Sequence, residues 1–150
     1  MFSRILFVCL GNICRSPAAE GVFYQFSQQA GLDLQIDSAG TDDWHIGKAP
    51  YGPMQKAALA RGYNLSNLRA RLFSPNDFTA FDLIIGMDDE NITNIERLRP
   101  ANDKTPVHLF TDYANQSGAS YIPDPYFTGD YEGALTLIEQ ASRGLLDQLQ

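Results

Sequence analysis

Two short runs constrain this chain more than anything else in it. ILFV at 5–8 and FDLIIGM at 81–87 are apolar with almost no alternation. A strand with one wet face alternates apolar and polar side chains, so an unbroken run points to a strand covered on both faces. LDLQIDSAG (32–40) and TPVHLF (105–110) read as two further strands. Helical segments fall between them. Ser16-Pro17 signals a helix start, a side-chain cap followed by a residue with no amide hydrogen to leave unpaired, and that helix should run to about Ala30 and stop at Gly31. Pro53 to Arg61 predicts a second helix ending at Gly62, and 88–98 a third, with Asp88 and Asp89 capping it and complementing its dipole. Tyr131 to Leu149 sets Leu135, Ile138, Leu145 and Leu149 on one stripe of a last helix. The Pro- and Gly-rich stretches at 47–53 and 122–129 read as loops. Strands alternating with helices predict an α/β fold: a single domain over 1–150, built on an open parallel sheet of about four strands with helices on both faces.

Such sheets bind ligands beyond the carboxyl ends of their strands, where the winding direction switches. Cys9, Ser38 and Asp88 fall at those exits. The 150 residues carry a formal charge of −7, which argues against a general nucleic-acid binder, since reading a phosphate backbone requires a basic patch. An anionic ligand would have to be captured locally, against that overall field. No run approaches the ~20 apolar residues that span a bilayer, and Ile5 to Leu10 is too short for the apolar core of a secretory signal. The only cysteines, Cys9 and Cys14, are too close in sequence to staple a fold, which fits a reducing, cytoplasmic setting. No His, Cys and carboxylate cluster has metal-ligand spacing, so no metal or other cofactor is expected. His45 and His108 read as ordinary loop and strand residues, and the alternative for Asp88 is a supporting role near the pocket.

The segment CLGNICRSP (9–17) is where chemistry concentrates. The loop Leu10, Gly11, Asn12, Ile13, Cys14 precedes a helix, so its backbone N–H groups can converge on an anion with the helix dipole behind them. Gly11 and Asn12 tolerate the left-handed backbone such a curl needs. Arg15 supplies a fixed charge that grips two phosphate oxygens bidentately, which lysine cannot do. Ser16 offers a hydroxyl to a Cys9 thiolate. Phosphoryl transfer to sulfur fits this set, with Asp124, stiffened between Pro123 and Pro125, as the acid for the leaving oxygen and then the base for water.

VCLGNICRSP, DSAGT and DPYF, in this order and spacing, resemble the low-molecular-weight protein tyrosine phosphatase family over essentially the whole chain. The resemblance implies Cys9 as nucleophile, Arg15 as phosphate clamp and Asp124 as general acid. It further implies that Asn12, Ser16 and Ser38 form a hydrogen-bond network behind the loop, and that Trp44 and Tyr126 wall the pocket for an aryl phosphate. Phosphotyrosine-containing proteins would be the substrates. Two positions depart from the pattern: Phe127 replaces a tyrosine that many eukaryotic members carry, and Asn67 stands where those members often have a histidine supporting the network. For Cys14 two roles stand open, a small hydrophobe at the loop base or a resolving thiol that protects Cys9 from over-oxidation.

Four other functions compete. Thioredoxin-coupled arsenate reduction needs two further cysteines after the third strand, where this chain has Met87 and none. Protein arginine phosphatases of the same family carry threonine where Ile13 stands; isoleucine presents only hydrocarbon, which suits an aryl ring better than a guanidinium. A sugar-transport phosphocarrier must preserve its thiophosphate, which Asp124 would help to hydrolyse. A phosphotyrosine-binding module without activity has no use for a retained nucleophile, arginine and acid.

Overall fold

The sheet is assembled around its first strand. In the computed structural model, which describes residues 2–150, with Met1 outside the described residues, β1 (Arg4–Cys9) has β2 (Gln35–Gly40) on one side and β3 (Leu83–Gly86) on the other. β4 (Val107–Leu109) completes the order β2-β1-β3-β4, and every pairing is parallel. The chain therefore winds one way from β1 to β2 and the other way from β1 to β3. The switch lies at the end of β1, where Cys9 pairs with Gly40 and Val8 with Gly86.

Why β1 lacks alternation is visible in its two faces. Ile5, Phe7 and Cys9 pack into a core shared with α1 (Arg15–Gln29), α2 (Gly52–Ala60) and α6 (Tyr131–Leu149). Leu6 and Val8 face the opposite core, with Phe73, Phe78 and Phe81 around α3 (Asp77–Ala80) and Ile95 from α4 (Asp89–Glu96). Burying one such side chain is worth roughly 1.5–3 kcal/mol, so a polar residue anywhere in 5–8 would break one core or the other. The four expected strands are all present, and helices cover both faces.

Several boundaries differ from the sequence reading. Ser16 is not the cap of α1: Cys14 holds that position without a side-chain bond, and Ser16 sits inside the first turn. Its hydroxyl is committed to the network behind Cys9 instead. The stretch 122–129 is not all loop; Pro125–Thr128 form one helical turn, α5, capped by Asp124, whose Oδ1 accepts from Tyr126 N at 3.1 Å. The turn α3 and two 3-10 turns, Phe110–Tyr113 and Asn115–Ser117, are too short to show a period in the sequence. α6 has the predicted bounds, with Leu135, Ile138 and Leu145 buried and Leu149 half-buried at its end. Asp88 caps α4 as expected, accepting from Asn91 N at 2.8 Å.

Candidate active site

The loop from Leu10 to Cys14 is tied to the rest of the molecule by its carbonyls. Thr41 N donates to Cys9 O (3.0 Å), Asp42 N to Leu10 O (2.9 Å), Tyr51 N to Ile13 O (2.8 Å) and Ala18 N to Cys14 O (3.2 Å). In a trans peptide the N–H of the next residue points opposite to the carbonyl. Pulling these carbonyls outward therefore turns the amides of Leu10, Gly11, Cys14 and Arg15 toward the inside of the curl. Only Asn12 uses the left-handed region (φ 56°); Gly11 does not. Gly11 is there for space, since a Cβ on it would sit 3.0 Å from the His45 ring. Gly40 is more tightly constrained, because a Cβ there would lie 2.8 Å from the backbone oxygen of Leu10.

Cys9 Sγ lies 3.1 Å from Ser16 Oγ, and both are buried. Asn12 Nδ2 donates to Ser16 Oγ (2.7 Å) and to Ser38 Oγ (3.0 Å). Arg71 N donates to Asn12 Oδ1 (3.0 Å), and Ser38 Oγ donates to Glu20 Oε1 (2.6 Å). Asn12, Ser16 and Ser38 are thus joined in one network behind the loop. Asn67 has no hydrogen bond to that network among the described residues; the backbone of Arg71 and the carboxylate of Glu20 complete it instead.

Arg15 is buried, with its side chain 3% exposed, and three groups hold it. Nη1 donates to Asp88 Oδ2 (2.7 Å) and to Ile122 O (2.9 Å), and Nη2 lies 3.4 Å from Asp124 Oδ2. Ile122 is itself anchored by donating its N–H to Met87 O at 2.8 Å. Burial opposes the guanidinium charge, but Cys9, Asp88 and Asp124 outweigh it and raise the Arg15 pKa above its ordinary value. Nε has no protein partner. Asp88 therefore does both jobs weighed from the sequence, one carboxylate oxygen capping α4 and the other holding Arg15.

The pocket above Cys9 is lined by Leu10, Gly11, Ile13, Cys14, Trp44, His45, Asp124, Tyr126 and Phe127. Trp44 (65% exposed) and Phe127 (70%) stand at its rim. Tyr126 packs edge-on against Tyr51 (centroids 5.1 Å apart) and beside His45 (6.2 Å). Sequence reading does not place His45, Tyr51, Glu20 or Arg71 here, since none of them carries a motif that ties it to Cys9; Phe127, noted there as a departure within DPYF, is given no place in the pocket. His108 stays in β4, its Nδ1 2.7 Å from Tyr113 Oη. Burial, with the charges of Asp124 and Cys9, pushes the Cys14 thiol well above its usual range, so Cys14 is a neutral, packed thiol that also floors the pocket. Both cysteines are free. Among the described residues no group of three or more His, Cys, Asp or Glu is placed to hold a metal ion, and no helix is long and apolar enough to cross a membrane.

A carboxylate, a buried arginine with a free N–H, and inward-turned amides over a thiol are the parts for capturing a tetrahedral dianion and transferring it to sulfur. Known proteins of similar sequence and structure fall in that class. The family model for low molecular weight phosphotyrosine protein phosphatases matches residues 4–150. A putative low molecular weight protein-tyrosine-phosphatase of Synechocystis is 44% identical over 151 residues, covering 97% of this chain and 96% of its own. The crystal structure of YfkJ from Bacillus subtilis superposes with a TM-score of 0.94 at 37% identity, covering 100% of this chain and 96% of that one. A Drosophila arginine phosphatase superposes at 0.91 with 30% identity, covering 97% of each chain. The chain belongs to the low molecular weight phosphotyrosine protein phosphatase family, and so to the protein-tyrosine phosphatases, a class of hydrolytic enzymes.

Proposed function

We propose that this protein removes phosphate from phosphotyrosine in proteins, and from small aryl phosphates, through a cysteinyl-phosphate on Cys9. The observation that carries the reading is the loop tied outward by its carbonyls, which turns its amides inward above Cys9, with Arg15 Nε buried and unpaired at the start of the helix that follows. Phosphate would bind there, with Arg15 across two of its oxygens. The Cys9 thiolate attacks phosphorus and the bond to the tyrosyl oxygen breaks, while protonated Asp124 gives its proton to that oxygen. Water then attacks the thiophosphate, Asp124 takes the proton, and the S–P bond breaks to return the thiolate and release inorganic phosphate. Leu10, Gly11, Asn12, Ile13, Cys14 and Ser16 hold the phosphoryl group or shape the loop around it, and Ser38 supports that loop. Trp44 and Tyr126 take the aryl ring, since aromatic walls supply area with few torsions to freeze. We read residues 1–150 as one catalytic domain, and a mechanism through a free thiolate fits a reducing compartment such as the cytoplasm.

A second substrate has an observation in its favour, the superposition on an arginine phosphatase. Ile13 on the pocket wall argues for the aryl group, because hydrocarbon offers a guanidinium nothing to bond. Asp124 beside the pocket supports hydrolysis over phosphate carriage, and Cys14, the one other cysteine, is too few for the thioredoxin-coupled relay of arsenate reduction. The test is phosphate release from matched phosphotyrosine and phosphoarginine peptides, with Cys9→Ser as the blank. Turnover of phosphotyrosine alone, abolished in the blank, is expected. Preference for phosphoarginine would replace the substrate, and turnover of neither would remove hydrolysis altogether.

A further inference from the structure

One carboxylate in the network takes no part in the chemistry described above. Glu20 lies one turn beyond Ser16 on α1, half-buried, and accepts the Ser38 hydroxyl at 2.6 Å, the shortest link in the chain of bonds behind Cys9. We propose that Glu20 is a positioning residue for the nucleophile: by accepting the Ser38 hydroxyl's hydrogen bond it fixes the direction of every hydrogen bond from Ser38 through Asn12 to Ser16, so that Ser16 donates to Cys9 Sγ. This rests on Cys9 being the nucleophile.

The number of protons available sets these directions. Arg71 N on Oδ1 fixes which way the Asn12 amide faces, so Nδ2 presents its two protons to the two serine oxygens. Each serine then receives a proton and must direct its own elsewhere. Ser38 has Glu20 as its acceptor. Ser16 has Cys9 Sγ at 3.1 Å and Ala39 O at a weak 3.4 Å. Without a firm acceptor at the Glu20 end, Ser38 is free to rotate its hydroxyl, its bond from Asn12 loosens, and the amide no longer holds the Ser16 oxygen in acceptor geometry. A charged acceptor makes the strongest anchor.

Glu20 is otherwise a costly residue to keep. Burial first, and then Asp37, push its carboxyl up to about 7, against the Ser38 hydrogen bond and the Arg71 charge, which favour the ionised form. Asp37 on β2 and Arg71 on the segment leading to α3 are the charged groups that face it. Glu20 also lines a cleft of about 550 Å³ with Tyr24, Gln28, Ile36, Tyr63 and Leu68, none of which lines the active-site pocket. Protons therefore reach Glu20 without passing the substrate.

A double-mutant cycle on the full chain tests this, reading kcat and KM on a phosphotyrosine peptide. Glu20→Ala should lower kcat about tenfold with KM within about twofold. Glu20→Gln should recover to within about threefold of wild type, because its amide oxygen still accepts from Ser38. In a Ser16→Ala background, Glu20→Ala should cost less than about twofold more, since the proton it directs is gone. If Glu20→Ala unfolds, Ser38→Ala breaks the same link and should show the same loss and the same lack of additivity. A Glu20→Ala loss that persists undiminished in Ser16→Ala, or no loss at all in an active enzyme, overturns the proposal alone. A wild-type protein inert toward phosphotyrosine overturns the proposed function and this role with it.

Discussion

The two ends of β1 use the same pair of groups to opposite effect. At the start of the strand, Arg4 meets Asp82, which accepts from Ser3 N (2.9 Å), Ser3 Oγ (3.2 Å), Arg4 N (2.9 Å) and Arg4 Nη2 (2.7 Å). Those bonds, the one from Arg4 first, hold the Asp82 carboxyl well below the usual carboxylate range. Just beyond the end of the strand, Arg15 meets Asp88 and Asp124 but is buried, and its Nε is left without a partner. A buried unpaired donor costs about 1–3 kcal/mol. The first pair is closed by its own protein and ties strand ends together. The second keeps one donor, Arg15 Nε, outside the pairing, the arrangement that the proposed grip on a phosphoryl group requires.

The largest test of that contrast is Arg15→Lys. It keeps the charge and loses the planar fork, so kcat/KM on an aryl phosphate should fall about 10²–10³-fold and inhibition by inorganic phosphate should weaken. An enzyme within a few fold of wild type would mean that charge alone suffices at this end. Next comes the pH dependence of stability, where Glu20 and Asp82 should behave oppositely. The Glu20 carboxyl is pushed up to about 7 in the folded state, so its favourable contribution is complete below the ordinary value near 4.3 and is lost as pH rises through 7. Glu20→Gln should therefore gain roughly 2–3 kcal/mol over wild type between pH 5 and pH 8, since each tenfold difference in proton affinity between folded and unfolded chains is worth about 1.4 kcal/mol. Urea denaturation at the two pH values measures it, and a constant difference would show that Glu20 is not held in a desolvated site.

A smaller effect is expected from Asp88→Asn, which keeps the cap on α4 but loses the ionic hold on Arg15. A fall in kcat of about tenfold, with thermal stability changed little, would separate the two oxygens of one side chain. The smallest effect belongs to the other end of β1. Asp82→Asn should cost about 1 kcal/mol at neutral pH, because the pair is partly solvent-screened, and leave kcat unchanged. Since the Asp82 carboxyl is held low, that difference is present above about pH 4 and vanishes as the pH falls further. Loss of activity in this variant would erase the distinction between the two ends.

Much of this was legible in the residues. The strand runs, the span of α6 and the Cys9–Arg15–Asp124 set each rest on a local signal: an unbroken apolar run, a stripe with a helical period, or a motif of fixed spacing. Ser16 shows where local signals mislead. Ser before Pro is a good cap in isolation, but its hydroxyl lies beside Cys9 and Asn12, and those bonds win over a cap that Cys14 replaces without side-chain help. Asp88 reads as a cap with a pocket role as the alternative; the fold uses both oxygens, which no one-dimensional reading separates. His45 and Glu20 carry no pattern at all, and each reaches the site only because separate segments are packed against the loop.

The order of residues by itself determined the class of fold, because apolar runs and helical stripes report which faces must leave water, and that requirement is local and additive. It also offered the candidate reactive groups, since the spacing of Cys9 and Arg15 and the Asp124-Pro125 pair are read from the residues alone. Tertiary structure alone decided direction: which way the loop amides face, which oxygen of Asp88 meets Arg15, and which groups stand around the hydroxyls of Ser16 and Ser38. Hydrogen bonds are directional and each donor serves few acceptors, so their orientation depends on every neighbour at once. No stretch of sequence contains all of those neighbours.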